Sequence, residues 1–425
     1  MDHSVKSFTA AALAAVMLCG CTELDSSKKG PVYTEIAPHT VLTVPEDAVT
    51  AVSEEQTVSD TVPEETVTPE ITISSSVTAV THPPDADPDK RYIYNTLSDN
   101  EKTMYDELKQ TVENYLPSVK YSVPVDPDSA RKVFVALYNN EPQLFWLNSL
   151  YYLPADGEQT VTYRFDRSLA RQMQSEIDEA VGEILKNADG MSDYEKIKYF
   201  HDHIVTHTQF SEDDENSSTI YGTFCKGASQ CEGYAFAFDY LCLKSGIDCM
   251  TVTGSTPEGV THAWNIVKLE GNWYNVDCTW DDPMLGDPDP DFLRRYYLLV
   301  SDSEILGRTH LQNDEYFTYP ACTDTQSYFA REGLLAEDAD MGVGMLKKSA
   351  SWALSEGRYE AEVKFTSFSA YSIASLQLFN LGSVWTVISE AAAENSMTGR
   401  ISDRKYVRYL NDDLYIIHIT LCPAE

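Results

Sequence analysis

Basic side chains are scarce in this sequence. Its 425 residues contain 31 Lys and Arg against 67 Asp and Glu, which gives a formal net charge of −36. Because such a field repels phosphate backbones, we expect no nucleic-acid partner. Cysteine is also sparse, at nine residues, which excludes a disulfide-rich scaffold. With 43% hydrophobic residues, the chain is too polar for a polytopic membrane protein and long enough for roughly two or three domains.

The apolar run at the N-terminus, residues 8–18, is too short to span a bilayer. It ends in Leu18-Cys19-Gly20-Cys21, which resembles a bacterial lipobox. We therefore interpret residues 1–21 as a lipoprotein signal peptide and predict lipidation of Cys21. An ordinary secretory signal cleaved nearby is the alternative. Both interpretations predict export, and the first places the protein on the outer face of a bacterial cell membrane.

Aromatic residues almost disappear between residues 22 and 90, where Tyr33 is the only one. The same stretch holds fourteen acidic residues, three Lys and eight Pro. Such a segment cannot bury enough apolar surface to offset its conformational entropy. We predict a disordered tether.

The next stretch of sequence contains signals for the starts of helices. Ser98 and Glu101 have the spacing of a capping box, and so do Ser192 and Glu195. Apolar residues at helical spacing follow each pair, and a further helix is predicted from Leu169 onward. We predict a helical N-terminal region over residues 91–190, whose aromatic stretch at 138–153 packs against the later core.

A Gly-rich loop leads into an apolar helix that begins at Cys231. A thiol at a helix N-terminus faces unpaired N–H groups and the positive end of the helix dipole, which favours the thiolate. Gly233 allows another segment to approach this helix closely. Taken alone, the position of Cys231 favours a small buried side chain over a nucleophile.

The next stretch predicts a β-hairpin. Residues 262–269 and 273–280 alternate as strands do, and Glu270-Gly271 supplies the turn. In this register His262 lies opposite Thr279, with Asp277 a diagonal neighbour at roughly 7–8 Å on the same face. A slip by one residue would place the two side chains on opposite faces.

These residues suit thiol chemistry. Cys231 would attack an acyl carbon, His262 would stabilise the thiolate and protonate the leaving amine, and Asp277 would orient the imidazole. The backbone N–H of Cys231 is the predicted first oxyanion donor. The second donor stays open among Gln230, Tyr221 and Trp264, and Trp280 is a further candidate for substrate contact.

Three sequence blocks resemble the transglutaminase-like superfamily in order and spacing: QCEGYA, THAWNIVKLEGNWYNVDCTWDDP and YYLLVSD. The resemblance covers residues 91 to about 330 and is closest to exported bacterial members with a helical region before the core. It implies an α+β fold over residues 191–335, a papain-like core in which the helix bearing the cysteine packs on an antiparallel sheet. It also implies catalytic roles for Cys231, His262 and Asp277. Gln230 and Cys225 depart from the residues usual in the family.

The resemblance implies a cell-surface thiol enzyme that forms an acyl-thioester and hydrolyses a peptide, isopeptide or amide bond. Its partners would be protein or peptide substrates, cell-wall peptides included. Transfer of the acyl group to an amine, as in a crosslinking transglutaminase, is the alternative. The residues do not indicate whether water or an amine is the acyl acceptor. A catalytically silent surface-binding module is a third hypothesis.

No cofactor or metal is expected. His203 and His207 share a predicted helix face, but no Glu follows the first His and no third ligand is evident, so we interpret both as packing or surface residues. The acidic residues 281–291 imitate the start of an EF-hand, but Phe292 stands where that loop requires Gly. A solvated loop is the interpretation preferred.

The remaining cysteines are expected to be buried free thiols: Cys225, Cys242, Cys249, Cys278, Cys322 and Cys422. A bond between Cys225 and Cys231 under oxidising conditions is a further hypothesis. Near the C-terminus, alternation at 359–365 and an Asn411-Asp412-Asp413 turn between two apolar stretches predict strands. We predict a small strand-rich accessory domain over residues 339–425, which binds a partner or wall polymer or extends the core.

Overall fold

The structure is a computed structural model and describes residues 92–152, 154, 157–282, 293–312 and 314–424. The predicted signal peptide with Cys21, the tether at 22–90 and most of the acidic loop lie outside the described residues. Export, lipidation and the tether therefore remain predictions. None of the described helices is long and apolar enough to cross a membrane.

The N-terminal region is helical, as predicted. The capping box is present, because Glu101 N–H donates to Ser98 Oγ at 3.3 Å and Ser98 N–H donates to Glu101 Oε2 at 2.7 Å. Leu169, the first apolar residue of the further helix that the sequence predicts, is 43% exposed. The elements of this region are α1 (Tyr92–Thr96), α2 (Asp99–Glu113), β1 (Ser118–Lys120), α3 (Pro127–Asn140), a 3-10 turn (Pro142–Leu144), β2 (Glu158–Thr160) and α4 (Arg167–Asn187).

Aromatic side chains join this helical region to the rest of the molecule. The ring of Tyr115 stacks on Trp146 and on Tyr163, at 5.6 and 4.7 Å between centroids. Tyr138 contacts Phe236 edge to face at 5.7 Å, and Phe236 belongs to the helix that begins at Cys231. The aromatic stretch therefore packs against the later core, as predicted.

The central region places helices against an antiparallel sheet of four strands, which lie side by side in their order along the chain. Asn265 of the second of these strands donates from Nδ2 to the Ala235 carbonyl at 2.9 Å, which ties the sheet to the cysteine-bearing helix. The elements are α5 (Asp193–His207), β3 (Gln209–Phe210), a π-helix (Gly222–Lys226), β4 (Ala228–Ser229), α6 (Cys231–Lys244), β5 (Cys249–Ser255), β6 (Thr261–Leu269), β7 (Asn272–Val276), α7 (Cys278–Asp281), β8 (Leu298–Val300), α8 (Asp302–Ile305) and α9 (Tyr328–Arg331).

The hairpin of β6 and β7 has the predicted turn. Glu270 and Gly271 both have positive φ, at 54° and 89°, and Leu269 pairs with Asn272. The predicted pairing of His262 with Thr279 is wrong. Strand β7 ends at Val276 because the chain turns into α7, and His262 pairs instead with Gly254 of β5.

The C-terminal segment is not strand-rich, which corrects the expectation for residues 339–425. The strands predicted at 359–365 and around the Asn411 turn are present, but helices cover the sheet that they form. Small residues allow this close packing, since a Cβ added at Gly342 would lie 2.1 Å from the Phe365 ring. The elements are β9 (Leu335–Ala336), α10 (Ala339–Ser355), β10 (Glu360–Phe365), α11 (Phe368–Ser375), a π-helix (Leu376–Asn380), α12 (Val384–Glu394), β11 (Ile401–Asn411) and β12 (Ile416–Pro423).

Gly233 lets the preceding loop pack directly on α6. A Cβ at this position would lie 1.9 Å from Ser229 Oγ and 2.5 Å from the Ser217 carbonyl oxygen. We expect Gly233→Ala to lower the free energy of unfolding by about 1–3 kcal/mol, because the loop backbone must move. Urea denaturation of the full chain measures this change.

Gly182, in the middle of α4, provides the matched control, since a Cβ there meets no atom within 4 Å. Gly182→Ala should raise stability by roughly 0.5–1 kcal/mol through helix propensity alone. Equal effects of the two substitutions would contradict the close packing at Gly233.

Candidate active site

Cys231 is the first residue of α6, as predicted. Its side chain is partly exposed, and Gln230 before it caps the helix without a side-chain hydrogen bond. The backbone N–H of Gln230 donates to the Ser217 carbonyl at 2.9 Å, which fixes the entry of the chain into the helix. The sulfur therefore lies beside backbone N–H groups that have no partner within the helix.

His262 on β6 lies between a thiol and a carboxylate. Its Nε2 is 2.6 Å from Asp277 Oδ2, and its ring is in hydrogen-bond contact with the Cys231 thiol. Because Nε2 faces the carboxylate, Nδ1 is the nitrogen left for the sulfur. Burial alone lowers the pKa of His262, but the charge and hydrogen bond of Asp277, with the Cys231 contact, outweigh it and raise the pKa to about 10. At neutral pH the ring is an imidazolium.

Asp277 lies between β7 and α7 and is the N-cap of α7. Its Oδ1 accepts the backbone N–H groups of Thr279 and Trp280 at 2.9 and 3.1 Å, as an N-cap residue does. Burial opposes its charge, but His262 and then His310 outweigh that penalty and hold the pKa of Asp277 well below its usual range. The structure thus brings the three predicted residues together, with the carboxylate ionised.

Sequence reasoning missed His310. This residue is fully buried, and its Nε2 lies 2.9 Å from the same oxygen of Asp277 that faces His262. It follows α8 in a short turn and carries no motif or periodic spacing. Only the fold brings it to the site.

The other predicted site residues differ in whether their side chains are available to a substrate. Trp280 lies beside the imidazole, at 5.6 Å between ring centroids, and is partly exposed. Trp264 stacks on His262 at 6.1 Å, but its indole N–H donates to Asn275 and is not directed at a substrate oxygen. The Tyr221 hydroxyl donates its proton to Glu176 of α4 at 2.6 Å, and not to a substrate oxygen.

Among the predicted donors, Gln230 has a side chain that makes no capping hydrogen bond to α6. It adjoins Cys231, whose backbone N–H lies at the start of α6. Gln230 therefore stays a candidate for the second oxyanion donor.

Three side chains of the site have the composition of a metal centre. One ligand atom each from His262, Asp277 and His310 lies within 4.8 Å of the others. Both Nε2 atoms, however, are at hydrogen-bond distance from one carboxylate oxygen, which is the geometry of proton donors around an acceptor. The donor set therefore fits proton sharing better than coordination of a metal.

His203 and His207 stack at 4.1 Å, and His207 Nδ1 is 2.9 Å from the His203 carbonyl oxygen. This is a local helix contact. Asp281 and Asp282, at the start of the acidic loop, are buried and hydrogen-bonded to His201 and Tyr234. The expectation of a solvated loop is wrong for these two residues.

All cysteines of the described residues are free thiols. The expected burial is confirmed for Cys242, Cys278 and Cys322, whereas the others are partly exposed. Burial raises the pKa of Cys225 to about 11, so this residue, six positions before Cys231, is a protonated thiol at neutral pH. The bond hypothesised between Cys225 and Cys231 remains a prediction.

Residues 181–278 match the family model described as the transglutaminase-like superfamily. The chain contains a transglutaminase-like core. The match ends one residue after Asp277, so it includes all three of the residues that the structure brings together at His262.

Curated relatives with the same core include the kyphoscoliosis peptidases of Homo sapiens and Mus musculus. They are 29% and 28% identical to this chain over 165 and 166 residues. The matched region is 35% of this chain and 22% of each relative, so the chain spans about a fifth of their length.

Solved structures with similarity to the chain include a transglutaminase and the periplasmic domain of TgpA from Pseudomonas aeruginosa bound to ethylmercury. The first is 14% identical, with a TM-score of 0.22, and covers 38% of this chain and 50% of its own. The second is 16% identical, with a TM-score of 0.20, and covers 29% of this chain and 55% of its own.

A buried ionic network supports the transglutaminase-like core behind α7. His201 is fully buried, with Nδ1 3.1 Å from Asp202 Oδ1 and Nε2 3.0 Å from Asp281 Oδ2. Arg295 donates to both oxygens of Asp202, at 2.8 and 2.7 Å. Burial opposes the charge of Asp202, but His201 and Arg295 outweigh it and lower its pKa to about 2.

The network continues into the C-terminal segment. Tyr328 accepts a hydrogen bond of 3.4 Å from Arg295 and donates one of 2.9 Å to Glu362 on β10. Since Asp281 is the last residue of α7 and Asp277 is its cap, one chain of contacts runs from the candidate site to the C-terminal sheet.

Arg295→Met should lower the free energy of unfolding by about 3 kcal/mol, because it leaves the buried Asp202 with a single partner. Guanidinium denaturation measures the change. Lys186→Met is the matched control, since its ion pair with Glu183 leaves the side chains 72% and 68% exposed. That control should change stability by no more than about 0.5 kcal/mol.

The pH dependence of the free energy of unfolding gives a second test of the role of Arg295. The lowered pKa of Asp202 contributes stability that is present above about pH 4 and is lost as the pH falls toward its folded pKa of about 2. This acid sensitivity should be smaller in Arg295→Met. An unchanged unfolding midpoint at every pH would contradict the role given to Arg295.

Proposed function

We propose that this chain is a cell-surface thiol enzyme that hydrolyses a peptide, isopeptide or amide bond through an acyl-thioester on Cys231. The observation that carries the proposal is the position of His262, in contact with the Cys231 thiol on one side and 2.6 Å from Asp277 on the other. The family match and the peptidase name of the curated relatives support a cysteine enzyme in general. The cell-surface location rests on the predicted lipobox at Cys21.

In the first half of the reaction, the Cys231 thiolate attacks the carbonyl carbon and the carbonyl oxygen takes up negative charge. The backbone N–H of Cys231, with Gln230 as the candidate second donor, would stabilise that oxyanion. The C–N bond then breaks, and His262 gives its proton to the departing amine. The product is a thioester on Cys231 and a neutral imidazole.

In the second half, a water molecule attacks the thioester while neutral His262 accepts one of its protons. The C–S bond breaks, the carboxylic acid leaves, and the thiolate and imidazolium are restored. Asp277 remains ionised throughout and orients the imidazole in both steps. The substrate class proposed is protein or peptide, and the strong negative charge of the chain disfavours nucleic acid.

Selective alkylation tests the nucleophile. Iodoacetamide at about pH 6 should modify Cys231 first, because the His262 imidazolium stabilises its thiolate. Cys225 should react slowly, because its pKa is raised to about 11. His262→Gln should slow modification of Cys231 about tenfold or more. Peptide mass mapping of the full chain follows both sites.

Cys225→Ser is the control and should leave the rate at Cys231 unchanged. If Cys231 remains unmodified at neutral pH while partly exposed Cys422 reacts, the chain is a silent binding module and the proposed chemistry fails.

The products formed from a mixed substrate show whether the acyl acceptor is water or an amine. The full chain is incubated with proteins that offer both glutamine and lysine, and the products are weighed by mass spectrometry. We expect cleavage with the gain of water, and Cys231→Ser should abolish it. Crosslinked products with loss of ammonia would instead indicate amine transfer.

A further inference from the structure

The carboxylate of Asp277 is surrounded by donors on both oxygens. Oδ1 accepts the backbone N–H groups of Thr279 and Trp280 at 2.9 and 3.1 Å. Oδ2 faces two imidazole nitrogens, Nε2 of His262 at 2.6 Å and Nε2 of His310 at 2.9 Å. A carboxylate offers about four lone-pair sites, so this one is saturated. His310 has no part in the reaction steps described above.

His310 is held rigidly by its surroundings. Its turn is attached to β5, because Ser255 and Leu311 exchange backbone hydrogen bonds of 3.0 and 2.8 Å. Its ring lies 4.9 Å from the Trp264 ring and 4.9 Å from the Trp280 ring, measured between centroids. The imidazole therefore has little freedom to rotate away from Asp277.

The contacts of His310 define its tautomer. An ionised carboxylate is only an acceptor, so Nε2 of His310 carries the proton and donates it to Asp277. Nδ1 is then the acceptor nitrogen of the neutral ring, and it lies 2.8 Å from the Thr309 hydroxyl oxygen. Burial and the charge of His262 together lower the pKa of His310 more than Asp277 raises it, so the ring is neutral while the neighbouring His262 is charged.

We propose that His310 is a positioning residue, whose neutral imidazole donates a hydrogen bond that orients the Asp277 carboxylate toward His262 and keeps it ionised. The proposal rests on the proposed thiol chemistry. Without this donor, one lone pair of a buried carboxylate would be unsatisfied and the carboxylate could turn. The imidazolium of His262, and with it the thiolate of Cys231, would then be less stable.

Replacing His310 by Phe and by Gln distinguishes a positioning role from a role in packing alone. Phe fills the ring site but cannot donate, whereas the Gln amide can place an N–H near the position of Nε2. The titratable groups that face His262 among the described residues are Cys231, Asp277 and His310, so the pH profile of Cys231 alkylation reports on this set.

We expect His310→Phe to slow iodoacetamide modification of Cys231 about tenfold at about pH 6, where the thiolate depends on the imidazolium. At about pH 10, where thiols ionise without a partner, the rate should change less than about twofold. His310→Gln should recover most of the rate at the lower pH. His207→Gln, on an exposed helix end, is the control and should leave both rates unchanged.

Imidazole NMR of the full chain labelled with nitrogen-15 histidine gives a readout that needs no reactive thiol. It should place the ring proton of His310 on Nε2, shifted downfield by the carboxylate. A proton on Nδ1, wild-type rates in His310→Phe, or equal slowing at both pH values would overturn the proposal. If wild-type Cys231 does not react at all, the proposed function fails, and the NMR spectrum still decides the role of His310.

Discussion

The rest of the site depends on one buried charge, the carboxylate of Asp277. It is 1% exposed, and a charge in such a place is costly unless donors surround it. Two backbone N–H groups of α7 and two imidazoles meet this demand. Because the same residue directly follows β7, caps α7 and contacts His262, the turn from strand to helix sets the orientation of the imidazole.

The surrounding fold brings separate chain segments to this carboxylate. Helix α6 supplies the sulfur and is tied to β6 by the hydrogen bond from Asn265 to Ala235. The turn bearing His310 is tied to β5 through Ser255. Behind α7, the network of His201, Asp202 and Arg295 extends to the C-terminal sheet through Tyr328. The C-terminal segment is thus in contact with the support of the candidate site.

Local signals in the sequence were reliable where the interaction spans only a few residues. The box of Ser98 and Glu101 and the turn at Glu270-Gly271 are closed by neighbours along the chain. Predictions failed where alternation or composition did not decide the structure. Thr279 lies in α7, which its neighbour Asp277 caps, so it cannot pair with His262 as a strand residue. In the C-terminal segment, helices pack on the sheet through small residues such as Gly342, and the strand pattern did not reveal them.

The sequence by itself determined the start of α6 at Cys231, the order of the Cys, His and Asp residues, and the tight hairpin that carries His262 and leads to Asp277. These follow from spacing, turn chemistry and periodicity, which act over a few residues. Only the tertiary structure decided that His310 shares the Asp277 carboxylate, that Tyr221 donates elsewhere, and that the indole of Trp264 is bonded to Asn275. Side-chain direction depends on which distant donors and acceptors the packed core presents, and no local pattern encodes that choice.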